Sequence, residues 1–341
     1  MTMSPRERML AALKGEPVDR VPVFSANQTA TYSQMDVTGA EWPEAHMKAE
    51  PMAKLAAGAY TVLGFDAVRV PYCQTIESEA LGATVKYAGR EGVPRIDVHP
   101  FHVGDAPDYP EDFLSLGRVP ELLEAVRLLK AWHGDDVVVM GNVVGPFSIV
   151  ANLVGITDAL KASFKRPDAL IGLLELAEKA GTALAHALVQ AGADVIVIED
   201  MMASIDVISP PIYLNLAQPY EKKQLQNFPA GVPTIMHICG KVNSIAKMIA
   251  ETGVTALSVE PSVDARALVA DLATFDRAIP LIGGVDAVTT LFSGTPDDVK
   301  ADVRKALADG YAMIAPGCSV PPTTTTENLL AMVEAAVEAA G

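Results

Sequence analysis

Eight short, almost wholly apolar runs rich in Val and Ile punctuate this chain, with helical patterns between them, and together they leave few folds open. They are Val21–Ser25, Asp66–Pro71, Val137–Asn142, Asp194–Glu199, Pro233–Cys239, Ala256–Glu260, Ile279–Gly284 and Ala312–Pro316. A strand that is apolar along its whole length is covered on both faces, as in a parallel sheet under helices. Eight such units predict an α/β fold of the (β/α)8 TIM-barrel class, formed as a single domain over residues 1–341. The alternative, an open doubly wound sheet, calls for a glycine-rich turn after the first strand. Ser25-Ala26-Asn27-Gln28 contains no glycine.

Helix signals support the barrel. Ser4-Pro5-Arg6-Glu7 is a capping box with proline at the first helical position, which predicts an N-terminal helical extension ending near Gly15. Pro167–Gln190 reads as one helix of about six turns. Thr295-Pro296 opens another, and Thr324-Thr325-Thr326-Glu327 gives a capping box for the last. About 65 residues, Tyr72–Asp136, separate the second and third strands, too many for one crossover helix. Thr84–Ala88 and Pro94–Val98 look like extra strands in this insertion, which is expected to help wall an active site at the carboxyl ends of the barrel strands.

Charge and cysteine usage exclude several classes. With 26 Lys+Arg against 42 Asp+Glu, the net charge of −16 and the absence of a basic stripe argue against nucleic acid as a partner. Three cysteines do not make a disulfide framework, so a reducing, cytoplasmic setting is expected. MTMSPRERMLAALKGEP lacks the apolar core of a signal peptide. The uncharged stretch Val137–Thr157 is long enough to span a membrane. Asn142, Gly145-Pro146 and Asn152 interrupt it, so it reads as a buried strand, a loop and a helix, and no membrane partner is expected.

The chemistry concentrates in Met236-His237-Ile238-Cys239-Gly240. Residues two apart on a strand face the same side, so His237 and Cys239 point together at the carboxyl end of their strand. Cys318 occupies a similar place after the last strand. Two thiolates and an imidazole suit Zn2+, and three protein ligands with one exchangeable position define a catalytic site. A buried His or Cys is ordinarily a core residue or a satisfied hydrogen-bonder. Cys73, also just past a strand, competes with Cys318, and spacing leaves both open. Glu260 is a candidate catalytic residue and fourth metal ligand displaced by substrate, or an outer group fixing His237, or a capping or substrate-binding carboxylate. Of Glu199 and Asp200, alternation puts one at the mouth; Asp200 is taken as the substrate-binding member, together with Asn142. His46, His99, His102, His133 and His186 lack partner spacing and read as surface or packing residues.

At His237-Ile238-Cys239-Gly240 followed by Gly317-Cys318, the chain resembles the zinc-dependent methylcobamide:coenzyme M methyltransferases, relatives of uroporphyrinogen decarboxylase. The likeness extends to Leu13-Lys14-Gly15-Glu16-Pro17-Val18-Asp19, Trp42-Pro43-Glu44-Ala45-His46, Arg69-Val70-Pro71-Tyr72-Cys73, Ala191-Gly192-Ala193-Asp194-Val195-Ile196 and Glu327-Asn328. It implies that Cys318, not Cys73, completes the metal set. It also implies that Zn2+ activates a small thiol, whose sulfur attacks the methyl group of a methyl-Co(III) corrinoid and leaves Co(I). Coenzyme M is the acceptor the resemblance implies. The chain ends one helix after the eighth strand, so the corrinoid is expected on a separate methylated corrinoid protein. The decarboxylase itself fits poorly, because the first-strand loop Ser25–Tyr32 carries no cation for a polycarboxylate substrate. Two other readings stand beside this one: a corrinoid-dependent demethylase acting on an O-, N- or S-methylated small molecule, and a non-catalytic corrinoid-binding or zinc-storage protein.

Overall fold

A computed structural model describes residues 2–341. Its strands are β1 (Ala67–Val70), β2 (Thr84–Lys86), β3 (Arg95–Val98), β4 (Val138–Val144), β5 (Val195–Glu199), β6 (Thr234–His237), β7 (Ala256–Ser258), β8 (Leu281–Val285) and β9 (Met313–Pro316). Seven of them form one parallel sheet in the order β1-β4-β5-β6-β7-β8-β9, with helices between successive strands. The expected first strand lies between the two sheet edges but is reduced to a bridge, Val23 to Ile314. Phe24 N donates to Ile314 O and Ile314 N to Pro22 O, while Asp66 N donates to Val23 O on the other side. Pro22 has no N–H to give, and the Val23 N–H is taken by the Asp66 side chain at 2.7 Å, so no longer ladder can form. The eighth stave of the barrel is therefore a single pinned residue flanked by irregular chain.

Inside the sheet, Phe24, Val138, Val195, Ile235, Ala256 and Met313 pack in one cluster with Met9 and Leu13. The N-terminal helix, Pro5–Leu13, thus closes the amino end of the barrel, held by the Ser4–Glu7 capping box. Ion pairs fix it there: Arg8 reaches Asp66 and Asp19, each at 2.6 Å, and Arg6 reaches Asp194 at 2.8 Å. Since successive side chains alternate, the cluster also defines which residues point inward farther along each strand. Arg69, Asn142, Glu199, His237 and Ser258 share the inward parity and crown the apolar interior with polar groups.

The insertion after β1 does contain the two extra strands, β2 and β3, as an antiparallel hairpin. Two helix expectations need correction. Pro167–Leu170 is a turn of 3-10 helix, and the α-helix runs Ile171–Ala191, ended by Gly192 at φ 115°. The last helix, Thr326–Glu338, is capped by Thr325, whose side chain accepts from Asn328 N. The uncharged stretch is β4 followed by the helix Pro146–Val154, which turns through 114° at Gly155 into Ile156–Lys165. Among the described residues no single helix is long and apolar enough to cross a membrane.

Candidate metal centre

His237 ends β6 and is fully buried, Cys239 follows two residues on, and Cys318 lies two residues past β9. One ligand atom from each lies within 4.8 Å of the others. His237 Nε2 is 3.5 Å from Cys239 Sγ, and the two sulfurs are 4.0 Å apart. A tetrahedral zinc ion, with bonds near 2.3 Å to sulfur and 2.0–2.1 Å to nitrogen, sets edges of about 3.8 Å for S···S and about 3.5 Å for N···S. The donor set therefore fits zinc in both chemistry and spacing. His237 Nδ1 hydrogen-bonds Ser258 Oγ at 3.0 Å, which turns Nε2 toward the sulfurs. Gly240 leaves the strand at φ 74°, and a Cβ there would lie 2.1 Å from Asp206 Oδ2. The left-handed backbone favours glycine directly after Cys239, where the loop after β5 comes close.

The two thiols titrate as a pair. The hydrogen bond from Cys239, with help from His237, pulls Cys318 down to about 4 against the opposing effect of burial. The same bond and burial push Cys239 well up. One proton shared between two sulfurs beside an imidazole is a set already disposed to give thiolate to a cation.

Cys318 opens on a cavity of about 1020 Å³, whose wall includes Trp42, Cys73, Gln74, Met201 and the hairpin residue Arg95. Glu199 is at the cavity floor, accepting from Asn27 Nδ2 at 2.7 Å, Arg69 Nη2 at 2.6 Å and Gln74 Nε2 at 3.0 Å. Asn27 Oδ1, Gln28 Oε1 and Arg69 Nε are buried there without partners.

The model of the uroporphyrinogen decarboxylase (URO-D) family matches residues 4–339. The chain belongs to the uroporphyrinogen decarboxylase family. Within it, the methylcobamide:CoM methyltransferase MtaA of Methanosarcina barkeri is 38% identical over 337 residues, covering 97% of this chain and 96% of that one. The methylcobamide:CoM methyltransferase MtbA of Methanosarcina mazei is 37% identical over 336 residues, covering 98% and 97%. A solved methyltransferase from Methanosarcina mazei superposes with a TM-score of 0.94 at 38% identity, over 99% of this chain and 100% of that one.

In this member of the uroporphyrinogen decarboxylase family, the remaining sequence candidates fall in different places. Cys73 is buried away from the ligand cluster, its sulfur accepting from Thr75 Oγ1 and Arg118 Nη1, each at 3.4 Å. Glu260 is half-buried two residues past β7, outside the three-residue cluster, yet close enough for its charge to raise Cys239. The group that fixes His237 is Ser258, not Glu260. Asn142 points into the barrel with neither amide atom bonded. Asp200 does not face the mouth: it is fully buried and caps the helix Pro146–Val154, accepting from Phe147 N at 3.2 Å and Ser148 N at 2.8 Å. Its neighbour Glu199 has the inward parity. The chain also buries Glu77, which burial pushes up to about 7 although Val144 N donates to it at 2.7 Å. Ser258 and Glu77 carry no motif that would single them out in the sequence.

Proposed function

We propose that this chain transfers a methyl group from a methyl-Co(III) corrinoid, carried by a separate protein, to the sulfur of a small thiol, with coenzyme M as the acceptor. The observation that carries this reading is the His237–Cys239–Cys318 set, spaced like three corners of a zinc tetrahedron, with Cys318 on the wall of a deep cavity. The relatives named as methylcobamide:CoM methyltransferases support it.

When bound, Zn2+ supplies acidity to a substrate thiol, so that thiolate is available near neutral pH. His237, Cys239 and Cys318 are the residues that would hold it. Ser258 orients the imidazole, and Glu260 is assigned the fourth position when no thiol is present. In the transfer the thiol proton goes to solvent, the sulfur's electron pair forms the new S–C bond, and the Co–C bond breaks with its electron pair staying on cobalt. The cavity exceeds what a small thiol fills, which leaves space for the methyl-bearing face of the corrinoid. Asn142 and the unpartnered atoms around Glu199 are assigned to polar contacts with the acceptor.

The test is zinc content and thiol methylation by methylcobalamin in the wild type, Cys239→Ala and Cys318→Ala. About one zinc per chain, lost in both variants with folding retained, together with zinc-dependent turnover, is the expected result. Full zinc retention in Cys318→Ala breaks the ligand set, and no turnover by metal-replete wild type breaks the reaction. Methyl transfer from methylated small molecules to Co(I), without thiol methylation, would establish the demethylase instead.

A further inference from the structure

Beside the large cavity lies a smaller pocket of about 380 Å³, and the two share Val154 and Asp158 on their walls. Its lining runs against the net charge of −16: Lys161, Lys165, Arg166 and His102 stand over an apolar floor that includes Phe101. Among the described residues, Lys161, Lys165 and Arg166 make no ion pair. Asp158 is one acid against three fixed cations. Asp105, the other acid close by, is engaged by the His102 N–H, which donates to it at 2.8 Å.

The helix Ile156–Lys165 shows why the cations gather. Ala159, Ala162 and Ser163 are buried against the fold. Thr157, Lys161, Phe164 and Lys165, at helical spacing, are all exposed and share the opposite face. Lys165 and Arg166 suit the negative end of the helix dipole. Lys161 stands mid-helix, one turn from a like charge, an arrangement that costs a helix stability. Phe164 is 80% exposed between them. A small anion would answer the cations but not the bare aromatic ring. Both are answered by a protein that brings apolar surface edged with carboxylates.

This face begins at the cavity. Ile156, 51% exposed, and Thr157 both line it. His99, just past β3, donates from Nδ1 to the Asn152 carbonyl at 2.7 Å, tying the hairpin to the same corner. The hairpin's Arg95 adds another exposed cation to the cavity wall. A partner that covers the cavity on this side therefore also lies along a helix about 15 Å long.

We propose that the outer face of the helix Ile156–Lys165, together with Arg166, is the docking surface for the corrinoid protein, which meets it with an acidic face. This rests on the reading above that a separate protein carries the methyl group.

The probe is a methyl-Co(III) corrinoid protein from Methanosarcina barkeri, the organism of the 38%-identical relative. By calorimetry, Lys161→Glu/Lys165→Glu should bind it about tenfold or more weakly than wild type, with the difference shrinking in high salt. The KM for that protein as methyl donor should rise to match. Phe164→Ala should weaken binding about fivefold. Zinc content and turnover with free methylcobalamin should stay within about twofold of wild type in these variants. Lys14→Glu/Lys179→Glu makes the same change of net charge at exposed positions outside both pockets, and should leave binding within about twofold. Equal loss in the two charge variants, no loss in Lys161→Glu/Lys165→Glu, or a wild type that does not bind the corrinoid protein overturns the proposal. So does a matching loss with free methylcobalamin, which would assign the cations to the cofactor itself. No thiol methylation by wild type from either donor breaks the proposed reaction, and the binding comparison still decides the docking surface.

Discussion

The two ends of this barrel treat buried polar groups in opposite ways. At the amino end the buried carboxylate is fully met: Asp66 takes Arg8 at 2.6 Å, Arg20 at 2.8 Å and the Val23 N–H at 2.7 Å. At the carboxyl end, Asn142, Asn27, Gln28 and Arg69 all keep buried polar atoms without partners, and two sulfurs face each other at 4.0 Å. Unpaired buried groups cost stability, so a fold keeps them where a ligand completes them. The satisfied end belongs to stability and the unsatisfied end to chemistry, as expected for barrels.

The sharpest way to break this contrast is at the sulfurs. Cys239→Ala and Cys318→Ala should each lower thiol methylation by about a thousandfold or more, equivalent to about 4 kcal/mol of transition-state stabilisation. The thermal midpoint should barely move. A large loss of stability with activity retained in the folded fraction would reverse the assignment of the two ends.

Asp66→Ala is the mirror experiment. It takes the carboxylate from Arg20 and the acceptor from the Val23 N–H, and leaves Arg8 with Asp19 alone among its acid partners; it should cost about 3–5 kcal/mol by urea unfolding, with zinc per folded chain unchanged. A smaller effect follows from Ser258→Ala, which frees the His237 ring. Zinc affinity should fall by about tenfold while the unfolding midpoint stays near wild type; unchanged affinity would mean the ring is held by packing alone.

The smallest effect is one of pH. Hydrogen bonding from Arg8 holds the Asp19 carboxyl well below its ordinary value of 3.8. A depressed acid stabilises the fold above the unfolded value and loses that contribution as pH falls toward the folded one. Urea midpoints should therefore drop below about pH 4, and Asp19→Asn should flatten that part of the curve. An unchanged curve would show that the amino-end network is screened by solvent.

How much of this was legible in the sequence follows the same division. Val and Ile runs between helix caps announce the staves, because burial on both faces leaves no other reading. The same uniformity hides orientation. In β5, Val195 and Val197 point inward and Ile196 and Ile198 outward, so nothing local tells Glu199 from Asp200. His237 and Cys239 were readable because their shared face needs only a spacing of two. Ser258 was not, since it reaches His237 through the pairing of β6 with β7. The weak first stave was hidden too: Val21–Ser25 looks like any strand until Asp66 takes its donor.

The N-terminal helix has a consequence for kinetics. With Met9 and Leu13 stoppering the amino end of the barrel, the sulfur of Cys318 opens on the cavity at the other end. In the proposed transfer the small thiol must go in first, the corrinoid protein then covers the entrance, and the methylated product leaves only after that protein departs. Such a queue gives a compulsory order of addition, with excess corrinoid protein slowing turnover by standing in the thiol's way.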